Sequence, residues 1–210
     1  YISELYQEHC GRYFNHNVHS VRVLDTIFNH NLTLDTLNGI ITHNGEFEMN
    51  EYRPQPMHSF DAFDDMVESC YVDQSNIIKI IPSTLEGCVV RVSDIIAYLG
   101  KDRQDAMRAK LNYTEPCVDE NGRIRTFNAE IINNLVVNLI ENSYGKPYIK
   151  LDSKHFASLR KLKRENYEKI YNRKESTDVV DAYLAGRRYV VVGDSIVVVN
   201  REEVKNAAKN

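Results

Sequence analysis

Apolar residues recur every three to four positions along most of the chain, and this spacing predicts helices at roughly 1–9, 15–29, 33–43, 60–70, 84–111, 127–143, 153–173 and 177–186. The fifth helix has a marked start. Pro82 precedes Ser83-Thr84-Leu85-Glu86, a capping-box pattern in which the serine oxygen and the glutamate satisfy free backbone donors. The polar stretches 44–59, with Pro54 and Pro56, and 112–125, with Asn121-Gly122, read as loops. Near the C-terminus the period falls to two. Tyr189-Val190-Val191-Val192 and Ile196-Val197-Val198-Val199 flank Gly193-Asp194-Ser195, the pattern of a β-hairpin. A lone hairpin is marginal in water, so it is expected to pack on other elements as a structural appendage. The expected fold class is therefore all-α, a helical bundle with a small C-terminal β-hairpin.

At 210 residues the chain is long enough for one large domain or two small ones. Its formal net charge of -4 gives no global attraction to nucleic acid or to acidic membranes, so any polyanion must be held by a local patch. Cys10, Cys70, Cys88 and Cys117 are widely spaced, which argues against a zinc knuckle or a disulfide framework and suits a reducing cytoplasm. No apolar run approaches the ~20 residues that cross a bilayer, so no membrane partner is expected. The chain opens on Tyr1 rather than Met, inside a predicted helix, and an upstream piece is expected.

The fifth helix carries the first candidate chemistry. At about 100° per residue, Cys88, Val92, Ile95 and Leu99 fall in one apolar stripe. Beside it runs a second stripe of Gly87, Arg91, Asp94, Tyr98 and Asp102. Short carboxylates lose little side-chain entropy on binding a metal or a sugar hydroxyl. On spacing alone, a solvated face with Arg91–Asp94 and Lys101–Asp105 helix pairs is the simpler reading.

On the 15–29 helix, Phe14, Val18, Val21, Leu24 and Phe28 form one apolar stripe, and His16, Ser20, Val23 and Ile27 form another on the opposite side. That pattern predicts a helix buried on both sides, with His16 in its first turn. There the imidazole could hydrogen-bond backbone or face an anion drawn by the free N–H groups. His43 closes the next helix and is read as a cap for its carbonyls. Lys163 falls inside the apolar stripe of Phe156, Leu159, Tyr167 and Ile170, where it either snorkels or presents its ammonium to a phosphate. The rest of the basic run Arg160–Arg164 scatters around the helix as a solvated face.

Several stretches resemble one known family. Val89-Val90-Arg91-Val92-Ser93-Asp94-Ile95-Ile96-Ala97-Tyr98 is similar to the closing motif of the HD-domain dNTP triphosphohydrolases. Phe14-Asn15-His16-Asn17-Val18-His19-Ser20-Val21-Arg22 is similar to that family's F-x-H-N-x-x-S-x-R helix. Asn31-Leu32-Thr33-Leu34 with Leu37-Asn38-Gly39-Ile40 and His43-Asn44-Gly45 resembles its next helix, and Leu162-Lys163 through Asn166-Tyr167-Glu168 to Ile170-Tyr171 a later one. The resemblance covers residues 1 to about 175 and implies an HD-type helical portion there, with 176–210 as the appendage.

The resemblance implies a metal-dependent hydrolase that splits a dNTP into deoxynucleoside and triphosphate. Asp94 would ligate a divalent metal ion (of the Mg, Mn, Fe, Co or Zn type), Tyr98 and Asp102 would contact the deoxyribose, and His16 would act at the phosphates; Lys163, from its place in the apolar stripe and not from the resemblance, is a further candidate substrate contact. The resemblance also implies a homo-oligomer and a nucleotide or single-stranded nucleic acid as effector. One departure matters. The family's metal site needs a histidine and an adjacent His-Asp pair as well, and none of the seven histidines here is followed by aspartate. This chain alone is therefore expected to be catalytically incomplete. The rival expectation is a non-catalytic HD-like module that binds nucleotide or nucleic acid for regulation or scaffolding.

Overall fold

A computed structural model describes residues 2–28, 30–44, 48–108, 117–118, 124–125, 128–172, 188–192 and 195–199. The protein is mostly helical, as the periodicity predicts. It divides into two compact units. The first comprises Tyr1–Ile96 and Val136–Ser153, the second Ala97–Leu135 and Lys154–Asn210.

The first unit contains α1 (Ile2–Cys10), α2 (His16–Arg22), α3 (Leu34–Thr42) and α4 (Phe60–Val72), followed by a 3-10 turn over Gln74–Lys79. Its core gathers Val18 and Val21 of α2, Leu37 and Ile41 of α3, and Phe63, Cys70 and Tyr71 of α4, with Ile77 and Ile80. Two side-chain caps fix helix starts. Thr33 Oγ1 accepts from the Thr36 amide at 3.3 Å, and Ser59 Oγ from the Ala62 amide at 3.1 Å.

α2 departs from expectation. It does not run as one α-helix to residue 29 but widens after Arg22 into a π-helical turn, Val23–Ile27. The extra residue per turn rotates the later positions off the helical phase that the sequence projection assumes. Val18 and Val21 are buried, whereas Ile27 and Phe28 are each 63% exposed. The helix is thus covered on one side, not two.

α5 (Leu85–Arg108) and α6 (Asn128–Ser143) each supply residues to both units. The predicted core stripe of α5 holds, with Cys88, Val92, Ile95 and Leu99 all buried. Its cap lies one residue later than the capping box implies. Thr84 Oγ1 accepts from the Gly87 amide at 3.0 Å, while Ser83 turns inward: its amide donates to Asn38 Oδ1 at 2.7 Å and its hydroxyl to Asp35 at 3.2 Å. Ser83 is thus spent on fastening the start of α5 to α3.

The stretch 44–59 is not all loop. Glu51–Tyr52 (β1) pairs antiparallel with Ile149–Lys150, and buried Asn138 clips the following turn by donating to Asp152 at 2.7 Å and accepting from its amide at 3.0 Å. Those side-chain bonds satisfy backbone that such short strands leave unpaired.

In the second unit, Cys117–Val118 (β2) pairs with Ile124–Arg125 (β3) inside the stretch predicted as loop, which makes Ile149–Lys150 β4 in chain order. α7 (Ser153–Asn166) ends in a π-helical turn, Tyr167–Tyr171. Gly100 admits α6 closely, because a Cβ there would stand 2.3 Å from Asn128 Oδ1. The C-terminal hairpin forms as expected from β5 (Arg188–Val192) and β6 (Ser195–Val199), with Ser195 paired to Val192 inside the strand. The helix predicted at 177–186 lies outside the described residues.

Candidate functional site

His16 is the first residue of α2. Asn15 before it is extended and makes no side-chain cap. The next residue, Asn17, is fully buried and its amide donates to the Ile41 carbonyl, which ties the start of α2 to the end of α3. His43 is the C-cap of α3, and its Nδ1 stands 2.6 Å from the Ile40 carbonyl. A carbonyl only accepts, so Nδ1 carries the proton and the Nε2 of a neutral His43 carries a lone pair. That Nε2 lies 3.2 Å from Nε2 of His16, with ring centroids 5.2 Å apart and ring planes at 69°. His16 is exposed rather than a core histidine, and His43 is half-buried. His43 caps its helix as predicted. Its approach to His16 was not foreseen.

His19, on the same helix, is engaged elsewhere. It sits among Tyr6, Phe14 and Tyr71 and hydrogen-bonds the Tyr71 hydroxyl through Nδ1 at 3.2 Å. Burial, reinforced by the Arg22 charge, holds its pKa below the usual value.

On α5 the polar stripe is more deeply placed than a solvated face would be. Gly87 and Arg91 are buried, and Asp94 and Asp102 are half-buried. Arg91 is 3% exposed and donates through one terminal nitrogen to the Ile80 carbonyl at 2.7 Å, while its buried Nε has no hydrogen-bond partner. Desolvation lowers its pKa. Lys101 and Asp105 do form the exposed helix pair expected of them.

In the second unit, Tyr98 is 57% exposed and presents its ring to solvent. Asp102 is engaged. The hydroxyl of Tyr171, from the turn after α7, donates to its carboxylate. Burial raises the Asp102 pKa against the lowering effect of that bond, and burial with the same carboxylate raises that of Tyr171. Lys163 is half-buried on α7, among a face on which Leu159, Asn166 and Ile170 are buried but Tyr167 is 60% exposed. The apolar stripe around it is therefore narrower than predicted.

His16 thus meets His43, and Asp102 meets Tyr171. Neither partner was assigned a site role from sequence, although Tyr171 lies in the run that resembles the family. Among the described residues no three His, Cys, Asp or Glu side chains come together to hold a metal ion. Asp94 alone is no metal site, since a bound divalent ion needs several ligands. The described residues therefore complete no such metal site by themselves. A wide groove of about 610 Å³ in the first unit, lined by Gln55, Met57, Met66, Lys79 and Ile80 among others, contains none of the predicted site residues. Among the described residues no helix is long and apolar enough to cross a membrane.

Comparison with known proteins upholds the resemblance. The chain is 34% identical over 91 residues to a deoxyguanosinetriphosphate triphosphohydrolase-like protein of Caldanaerobacter subterraneus subsp. tengcongensis, covering 43% of this chain and 27% of that protein. A protein of the same name from Clostridium tetani is 26% identical over 171 residues, 75% of this chain and 40% of its own length. A third, from Rickettsia bellii, is 27% identical over 119 residues, 52% of this chain and 27% of its own. The chain thus spans well under half the length of these relatives. No family model and no solved structure matches it.

Proposed function

We propose that this chain is part of a metal-dependent dNTP triphosphohydrolase that converts a dNTP and water into deoxynucleoside and triphosphate. The similarity to three bacterial proteins named for triphosphohydrolase activity carries this reading. In it, Asp94 supplies one ligand of a divalent metal ion, His16 acts at the phosphates, and Lys163 offers a further phosphate contact. The exposed ring of Tyr98 packs on the deoxyribose. Asp102 accepts from a sugar hydroxyl, with Tyr171 holding its carboxylate in place. A half-buried acid already oriented by a phenol loses little freedom on binding, and it discriminates against a sugar that leaves it unpaired. The working protein is a homo-oligomer, and a nucleotide or single-stranded nucleic acid is its effector.

The test compares triphosphate release from each dNTP, with divalent metal present, by the full-length protein that contains this chain and by the 210-residue chain alone. Turnover is expected of the former and none of the latter. Asp94→Ala in the full-length protein abolishes release while helix content by circular dichroism is kept. Asp102→Asn lowers kcat/KM by roughly 1–3 kcal/mol, the range for a lost charged hydrogen bond. An inactive full-length protein that still binds nucleotide would instead support the non-catalytic module.

A further inference from the structure

We propose that His16 and His43 form a two-imidazole binding site for a divalent transition-metal ion of the zinc, nickel or copper class. The geometry carries this. Two imidazoles sharing one tetrahedral ion at about 2.0–2.1 Å place their nitrogens about 3.3 Å apart and, with a ring radius of about 1.15 Å, their centroids about 5.2 Å apart. The observed spacings are 3.2 Å and 5.2 Å. A straight N–H···N hydrogen bond of the same nitrogen spacing would hold the centroids about 5.5 Å apart. The rings are therefore bent off the straight line of a simple N–H···N contact, at spacings that two imidazoles sharing one ion would also show.

The surroundings meet the other requirements of such a site. Imidazole suits zinc, copper and nickel. Metal-bound histidines characteristically donate their second nitrogen to a carbonyl or carboxylate, which fixes the tautomer and frees the other nitrogen to bind. His43 does this through Nδ1 to the Ile40 carbonyl. Both side chains are anchored at helix ends, His16 opening α2 and His43 closing α3, and the buried bond from Asn17 to Ile41 holds those ends together. The spacing is thus set before any ion arrives. His16 is exposed, so an ion can enter and water can fill its remaining positions. With two protein ligands rather than three or four, the site is open and of modest affinity.

This inference does not depend on triphosphohydrolase activity, so its test needs none. The 210-residue chain, His16→Gln, His43→Gln and the double variant are titrated with Zn²⁺ by calorimetry, and the imidazole resonances of the parent chain are followed by NMR. One Zn²⁺ is expected to bind per chain, with the His16 and His43 rings shifting together. Either single substitution should weaken binding by at least about tenfold, since losing a ligand exceeds the 10–100-fold typical of losing an outer-shell partner. The double variant should lose no more than the weaker-binding single one. Zn²⁺ affinity that survives both substitutions would overturn the proposal. So would Zn²⁺-induced shifts confined to the other five imidazoles, a reading that needs no variant to fold.

Discussion

Two arginines on α5 are buried almost equally and satisfied in different ways. Arg91, in the first unit, is 3% exposed and reaches a backbone carbonyl, with its Nε left without a hydrogen-bond partner. Arg103, in the second, is 4% exposed and sits in a cage on α7. Its Nε donates to Asn166 Oδ1 at 2.7 Å, and a terminal nitrogen donates to the Leu162 carbonyl at 3.1 Å and the Glu165 carboxylate at 2.9 Å. Asn166 in turn donates to the Leu99 carbonyl at 2.9 Å, so the cage also secures α5 backbone. A buried cation costs several kcal/mol in lost hydration unless anions and dipoles replace the water. The second unit supplies both, whereas the first relies on the fork of the guanidinium and one carbonyl. The contrast indicates that Arg103 organises its unit, while Arg91 is tolerated by its own.

Removing the caged cation should therefore have the largest effect. Arg103→Met leaves the Glu165 carboxylate, whose side chain is 24% exposed, and the buried Asn166 oxygen without their donor. Loss of about 3–5 kcal/mol is expected from breaking a buried pair at one end. Urea unfolding measures it, and Arg103→Met combined with Glu165→Leu should recover part of the loss. If the double variant is as unstable as the sum of its parts, the cage is not an interacting unit.

Arg91→Met should cost less, about 1–2 kcal/mol. It orphans the Ile80 carbonyl but also removes a charge the first unit solvates poorly. A loss equal to that of Arg103→Met would break the contrast between the two arginines.

What was legible in the sequence follows the same division between local and distant partners. The apolar stripe of α5 was legible because periodicity alone specifies it, and the cap by His43 because Ile40 is one helical turn away. The burial of Arg91 and Arg103 was not, since it rests on Ile80, Asn166 and Glu165, which no helical projection brings near. Nor was the pairing of His16 with His43, which lies 27 positions along. The projection of α2 failed for a different reason: it assumes a constant turn, and the π-helical turn over Val23–Ile27 breaks the phase. Ser83 was misread because its partners, Asn38 and Asp35, sit on α3 and draw it away from the cap.

Asp102 sharpens the comparison from the anionic side, as a carboxylate that its unit buries against a phenol and not an arginine. Burial raises its pKa. In the folded protein its proton is then held more tightly than in the unfolded chain, so stability falls as pH rises from about 3.8 through the raised folded value, and the penalty is full above it. Asp102→Asn keeps an acceptor for Tyr171 and carries no charge. Its melting temperature relative to the parent should match in acid and rise above it as pH climbs through that window. Together with the expected loss of kcat/KM, this would mark a residue kept for activity at the expense of stability. A variant less stable than the parent at neutral pH would show that the ionised carboxylate is structural instead.

Lys163 is the third cation in the contrast, and the smallest effect belongs to it. It stands on α7 one residue beyond Leu162, whose carbonyl takes part in the Arg103 cage, yet it is half-buried where Arg103 is nearly sealed. A lysine in that position covers apolar surface with its methylenes and keeps its ammonium toward water. Methionine preserves most of the covering length, so Lys163→Met should shift unfolding by no more than about 0.5 kcal/mol in either direction. The two cations on neighbouring elements then differ in kind: Arg103 is needed by the fold, and Lys163 is dispensable to it. If it serves a phosphate, the same substitution weakens dNTP binding to the full-length protein with unfolding unchanged. Unaltered affinity in a nucleotide titration would leave Lys163 as a snorkelling side chain, whereas a stability loss comparable to that of Arg91→Met would place it in the fold beside Arg103.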